Sequence, residues 1–302
     1  VLGEFSAGSN GAKLENFNIE LPHSTLSIPS FMAIWPDTPR GTDIKKWLGS
    51  TSWYAETAIH LTPSDFKAFA PRLANAHTPI ELTSKLYGLE ECINVPQLNI
   101  SNNGSLNLTA KLFINDYINS PEYTLEINRL QTNARLQHYI TQELNGQAKE
   151  ISPILTRLDT VNLSGQVKFS EESQSATLNL NNRLADIQIS SSAINRNQFK
   201  ANITSPKIDL AKLLSDNGSH TLNHTSLDIN ASGVLKDKNG KPHINIHTIL
   251  PLLCIQEREY RNLDIKTTLA GNTISVDAEG KDNEGEIRSH LTLTNGHRRH
   301  LQ

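Results

Sequence analysis

The side chains in this sequence that could do chemistry are scattered. Eleven histidines are spread along the chain. His243 and His247 are four apart; on an alternating strand they share a face about 13 Å from each other at ~3.3 Å per residue, too far for one metal ion. His220 and His224 flank a turn and read as surface imidazoles. Asp282, Asn283, Glu284 and Gly285 begin like a calcium loop, but the acidic residue that closes such a loop is not at the required distance, so an ordinary polar hairpin is expected. Cys92 and Cys254 are too few for a disulfide framework and lack metal-site spacing. They read as one buried thiol in each of two strands, with a single long-range disulfide left open. Triplets such as Asn103-Gly104-Ser105 and Asn230-Ala231-Ser232 match a glycosylation acceptor, yet an Asn- and Ser-rich chain produces them by chance. There is no glycine-rich phosphate loop, zinc-protease helix or nucleophile elbow. The expectation is a protein with no catalytic residue, no metal and no cofactor.

Composition turns attention to the elements. Hydrophobic residues make up 37% of 302 and charged residues 20%, against about 45–50% apolar in ordinary domains. The missing share has gone to Asn, Ser, Thr and Gln. That balance suits an elongated, thin sheet with much of its surface wet. A net charge of -3 without a basic run leaves no footprint for nucleic acid. No window approaches the ~18 consecutive apolar residues that span a bilayer. The opening Val1-Leu2-Gly3-Glu4-Phe5 has no Met and no basic leader, so the chain is expected to be a portion of a longer protein.

Period-2 alternation dominates, the mark of half-buried strands. Leu106, Leu108, Ala110, Leu112 and Ile114 alternate cleanly, as do Val161, Leu163, Gly165, Val167 and Phe169. Leu178 with Leu180, Ile187 with Ile189, Leu227 with Ile229, Ile244 with Ile246, Leu263 with Ile265, and Ile274 with Val276 continue the pattern. Turn chemistry separates them at Asn102-Asn103-Gly104, Asn217-Gly218, Lys238-Asn239-Gly240 and Gly271-Asn272, which predicts mainly antiparallel pairing. An aliphatic-polar-aliphatic-polar-small pattern recurs at Ile80, Leu106, Val161, Leu227 and Leu263 with irregular spacing, which argues against a propeller or fixed-period solenoid. Short helices are expected after Thr62-Pro63-Ser64-Asp65 and within Ser205–Leu214, with weaker helical patterns over Leu130–Leu144 and Ile151–Leu158. Residues 1–60 read as strands with an irregular Pro/Trp stretch, 61–160 as a helix-punctuated segment and 161–302 as a meander, all in one continuous elongated domain.

The expected fold is therefore mainly β: a long antiparallel sheet curled into an open groove, with a few short amphipathic helices. One face carries aliphatic side chains and must be covered. If the sheet curls on itself, the candidates to line an acyl-chain groove are Leu106, Leu108, Leu112, Val161, Leu163, Val167, Leu178, Leu180, Ile187, Ile189, Leu227, Ile229, Ile244, Ile246, Leu263, Ile265, Ile274 and Val276. A surface adhesin or carbohydrate-binding β-solenoid is the alternative, and it calls for an exposed aromatic and polar stripe; aromatics are only 6%. A polysaccharide-degrading enzyme would need clustered carboxylates on one face, and the sequence offers none.

Two segments carry a family likeness. Ala58–Phe69 followed by Thr78–Gly88, and Ser205–Leu214 followed by Leu227–Gly233, each place a short proline-acid-aliphatic helix before a new strand set. In this texture the chain resembles the AsmA-like/TamB family of bacterial envelope proteins, particularly the translocation and assembly module subunit TamB of Bacteroidetes, over most of residues 10–295. The resemblance implies a periplasmic span anchored in the inner membrane through a segment absent from this chain. It also implies an outer-membrane BamA/TamA-type barrel as partner. The function it implies is a β-groove for phospholipid acyl chains moving between the membranes, or one that assists outer-membrane protein assembly.

Overall fold

The structure, a computed structural model, describes residues 2–36, 49–69, 78–133, 157–158, 160–195, 197–214, 225–255, 258–282 and 284–294. The chain is mainly β, as expected: the described residues form seventeen strands in antiparallel sheet that does not close into a barrel, with few helices among them. It divides into two compact units, Val1–Glu143 with Thr160–Glu171, and Leu144–Asp159 with Glu172–Gln302.

The first unit holds β1 (Leu2–Gly8), β2 (Gly11–Glu20), β3 (Thr25–Ile34), β4 (Ser52–Leu61), β5 (Ile80–Leu89), β6 (Cys92–Asn102), β7 (Leu106–Asn115), β8 (Glu122–Thr132) and β9 (Val161–Phe169). Each pairs antiparallel with the next. The turns use residues that tolerate left-handed backbone: Asn103 and Gly104, at φ 26° and 79°, close β6–β7. Three irregularities reconcile broken alternation with a single face. Asn16, at φ 52°, lets Leu14 and Phe17 point the same way although they are three apart. The register shifts around Pro96 in β6, and between Ile127 and Leu130 in β8, do the same for Val95 with Leu98 and for Ile127 with Leu130.

The second unit holds β10 (Ser173–Asn181), β11 (Ala185–Ile194), β12 (Gln198–Ile208), helix α1 (Leu210–Leu214), β13 (Thr225–Val234), β14 (His243–Ile255), β15 (Arg258–Ala270), β16 (Thr273–Lys281) and β17 (Glu286–Thr294). It too is a meander of neighbouring antiparallel pairs. The β13–β14 turn is held by Asp237, whose Oδ1 accepts from the amides of Asn239 and Lys241 at 2.7 and 2.8 Å. These two bonds hold its carboxyl below the usual carboxylate range.

The short helical pieces sit where the proline-acid motifs predict, and each ties a strand end to a hairpin loop. Pro63–Phe66 is one 3₁₀ turn. Thr62 precedes it without capping it: its hydroxyl donates to the His23 carbonyl at 2.7 Å, and its amide donates to Ser24 Oγ at 2.8 Å. Asp65 Oδ2 accepts from the Ser24 hydroxyl at 2.7 Å and the His23 amide at 2.9 Å. Burial raises the Asp65 pKa, but these two donors lower it further, and the net shift is downward. In the second unit β12 runs to Ile208, and helix begins only after Asp209, the true N-cap. Asp209 Oδ1 accepts from the Lys212 amide at 3.2 Å, and Oδ2 lies 3.0 Å from Lys212 Nζ. Leu158, Leu184, Ala185, Ile208 and Leu213 form a small buried cluster there. Of the weaker helical patterns, Leu130–Thr132 is instead the end of β8, where pairing to β7 and β9 outweighs local propensity. Residues 134–156 lie outside the described residues, as do Asn217, Gly218, His220 and His224.

Candidate functional site: an aliphatic sheet face

Register places the candidate residues. In the first unit Ile19, Leu26, Ile59, Leu82, Ile100, Leu108, Leu130 and Leu163 are direct cross-strand partners in turn, an unbroken aliphatic row over eight strands. At ~4.8 Å per strand the row runs about 34 Å along the sheet. A second row on the same face includes Val95, Leu112, Leu125 and Val167. A third is apolar across all nine strands: Ala7, Ala12, Ala33, Trp53, Gly88, Ile93, Ile114, Tyr123 and Phe169. In that row the Trp53 ring fills the space above Gly88, where an added Cβ would lie 2.0 Å from its Nε1. Leu106 and Val161 are both partnered by strand β8 residues at one end of this face. All six candidates of this unit therefore share one face.

The second unit does likewise. Leu178, Ile189, Ile203, Ile229, Thr248, Ile265 and Ala278 form one row. Ala176, Ser191, Ala201, Ala231, Ile246, Thr267 and Val276 form the next. Ile244 pairs with Gly233 and Leu269, which in turn meets Ile274. Leu180 pairs with Ile187, Leu227 with Ser205 and Leu263 with Leu250. All twelve candidates of this unit lie on one face, which is less uniformly aliphatic than that of the first unit.

These faces are only partly covered. Of the eighteen candidates, Leu263 alone is buried, and Ile274 is exposed. The others are half-buried. A Leu or Ile in that state keeps roughly half of the ~1.5–3 kcal/mol that full burial would give. Further burial by a ligand is thus still available.

The opposite face is polar and ion-paired. In the first unit Lys85 Nζ lies 3.1 Å from Glu56 Oε1, and His60 Nδ1 lies 2.6 Å from Glu81 Oε1. The Tyr54 hydroxyl donates to Glu56, which pushes the phenol up to about 12 and draws the carboxyl down. A short apolar interruption crosses this face: Met32 pairs with Tyr54 and Tyr54 with Tyr87, the two rings 4.9 Å apart. In the second unit His247 faces Asp264 at 2.9 Å and His290 faces Asp277 at 2.6 Å. His243 and His247 do not share a site. Asp282 is used in its turn, accepting from the amides of Glu284 and Gly285. Cys92 is a free thiol, half-buried rather than buried, and bonded to Asn115 Oδ1 at 3.3 Å. Among the described residues there is no cluster of three or more His, Cys, Asp or Glu able to hold a metal, and no helix long and apolar enough to cross a membrane.

Ile19, Leu26, Ile59, Leu82, Ile100, Leu130 and Ile203, which are not among the candidates read from the sequence, complete the rows. Their alternation was visible in the sequence, but the cross-strand register that joins them was not. Fold and site together define a class: an open antiparallel meander with one aliphatic and one polar face. No family model matches the chain, and comparison with curated proteins and with solved structures gives no match.

Proposed function

We propose that this chain is a non-enzymatic envelope protein segment whose aliphatic sheet face receives phospholipid acyl chains, in the manner of the AsmA-like/TamB proteins it resembles. The observation that carries the reading is the unbroken row from Ile19 to Leu163, half-buried along its length. An acyl chain spans one leaflet, about half of a ~30 Å hydrocarbon core, so the ~34 Å row is long enough to hold one lengthwise. Burying about eight methylenes at ~0.8 kcal/mol each gives roughly 6 kcal/mol before ordering costs, and subtracting those costs leaves a Kd on the order of 100 µM or weaker. Within this proposal the protein sits in the bacterial periplasm and works with a barrel protein of the outer membrane.

The test is titration of delipidated protein with a fluorescent fatty acid. Leu108→Asp places a carboxylate in the row and is expected to weaken binding at least about tenfold. Asn107→Asp adds the same charge on the opposite face and is expected to leave binding intact. Equal effects of the two substitutions, or no binding by the parent protein, would refute the proposal.

A further inference from the structure

A concavity of the second unit lies on the polar face, away from the aliphatic rows. It is a groove of about 830 Å³. Its lining takes residues on both sides of the Ala176–Ser191–Ala201–Ala231 row but none of the flanking Leu178, Ile189, Ile203 or Ile229 side chains, which point to the other face. The small residues form the floor through their backbone, and two polar rows form the walls.

The walls carry a defined chemistry. One runs Thr177, Ser190, Asn202, Asn230, His247, Lys266, and the other Ser192, Lys200, Ser232, Asn245, Thr268, each in direct register. Asn202 Nδ2 donates to Asn230 Oδ1 at 2.8 Å, and Asn230 Nδ2 donates to Asp228 at 2.9 Å, so the amides are held in a fixed chain. Thr268 donates to Asn245 Oδ1 at 3.3 Å. Two lysines and one histidine line the groove, and no carboxylate does. The nearest acids are engaged: Asp264 faces His247 at 2.9 Å and lies 3.9 Å from Lys266, Asp228 takes the asparagine amides, and Asp277 faces His290. The lining is thus a hydroxyl- and amide-rich strip carrying two lysines, with Asp228, Asp264 and Asp277 beside it on the same face and Asp277 the direct cross-strand partner of Lys266.

We infer that this groove binds an acidic oligosaccharide laid across strands β10–β15. Lys200 and Lys266 sit three strands and two residues apart, about 16 Å at ~4.8 Å per strand and ~3.3 Å per residue. That separation suits carboxylates on non-adjacent sugars of one short chain and is too wide for a single phosphate. The serines, threonines and asparagines between them match the alternating donors and acceptors of sugar hydroxyls. This inference is independent of the acyl-chain reading, which concerns the opposite face.

Calorimetric titration of the full chain tests it, using tetragalacturonate, its fully methyl-esterified form and a polyphosphate of matched charge. The acidic tetrasaccharide is expected to bind with submillimolar Kd. Its affinity is expected to fall at least about tenfold in each of Lys200→Gln and Lys266→Gln, since each removes a charge-assisted hydrogen bond, and to be unchanged in Lys168→Gln, which lies in the first unit. All three positions are exposed, and circular dichroism checks the fold of each variant. The esterified sugar and the polyphosphate are expected to bind far more weakly. No binding of tetragalacturonate, binding indifferent to both groove lysines, or polyphosphate binding as tight as the sugar would each overturn the inference.

Discussion

Gly233 offers a stringent test of the strand geometry in the second unit. It lies on the aliphatic face between Phe199 of β12 and Ile244 of β14. A Cβ built there would sit 2.2 Å from the His243 carbonyl oxygen and 2.7 Å from Ile244 Cα. Both are backbone atoms, so no side-chain rotation relieves the clash. Reaching ordinary contact requires the strands to part by about 1 Å, which weakens the adjoining ladder bonds. Overpacking of this kind costs about 1–3 kcal/mol, and the lost backbone bonds place Gly233→Ala toward the upper end of that range. At about 2–4 °C per kcal/mol for a unit of this size, the expected fall in Tm is about 5–10 °C. Scanning calorimetry and urea unfolding both measure it. Gly8→Ala is the control, because nothing lies within 4 Å of its Cβ position. If Gly233→Ala unfolds within about 0.5 kcal/mol of the parent, the close approach of β13 to β14 is wrong.

Other expectations concern the ties and the polar face. Asp209→Ala removes the cap of α1 and the Lys212 partner, and should cost about 1–2 kcal/mol by urea unfolding, while Asp209→Asn keeps the cap and recovers part of it. Asp65 has its pKa lowered in the fold, so its contribution to stability is present above the ordinary carboxylate range near pH 4 and is lost as pH falls through its depressed value. An acid-unfolding series should therefore be less steep for Asp65→Asn than for the parent at low pH. Spectrophotometric titration should show Tyr54 ionising near pH 12, and Glu56→Gln should bring it back toward 10.

What could be read in the sequence was what period-2 alternation carries. Leu106 to Ile114 and Val161 to Phe169 alternate without interruption, and they are strands β7 and β9. The proline-acid segments gave the helical turns because Pro63 and Asp209 act locally, through fixed φ and capping. Beyond local chemistry the sequence was silent. The left-handed Asn16 hides the fact that Leu14 and Phe17 share a face, and Pro96 hides the same for Val95 and Leu98, because a bulge adds a residue to the count. The polar groove was invisible for a related reason. Thr177, Ser190, Asn202, Asn230, His247 and Lys266 lie on six strands, and only the full pairing register brings them into one row.

Native mass spectrometry with lipid extraction, on protein purified from a bacterial host, tests the acyl-chain proposal most directly. The parent chain is expected to carry phospholipid. A variant with both Leu108→Asp and Ile229→Asp should be lipid-free, while one with both Asn107→Asp and Gln188→Asp, changed on the polar face, should keep its lipid. A folded parent that is free of lipid, or lipid lost equally from both double variants, would contradict the claim that the aliphatic face is the binding surface.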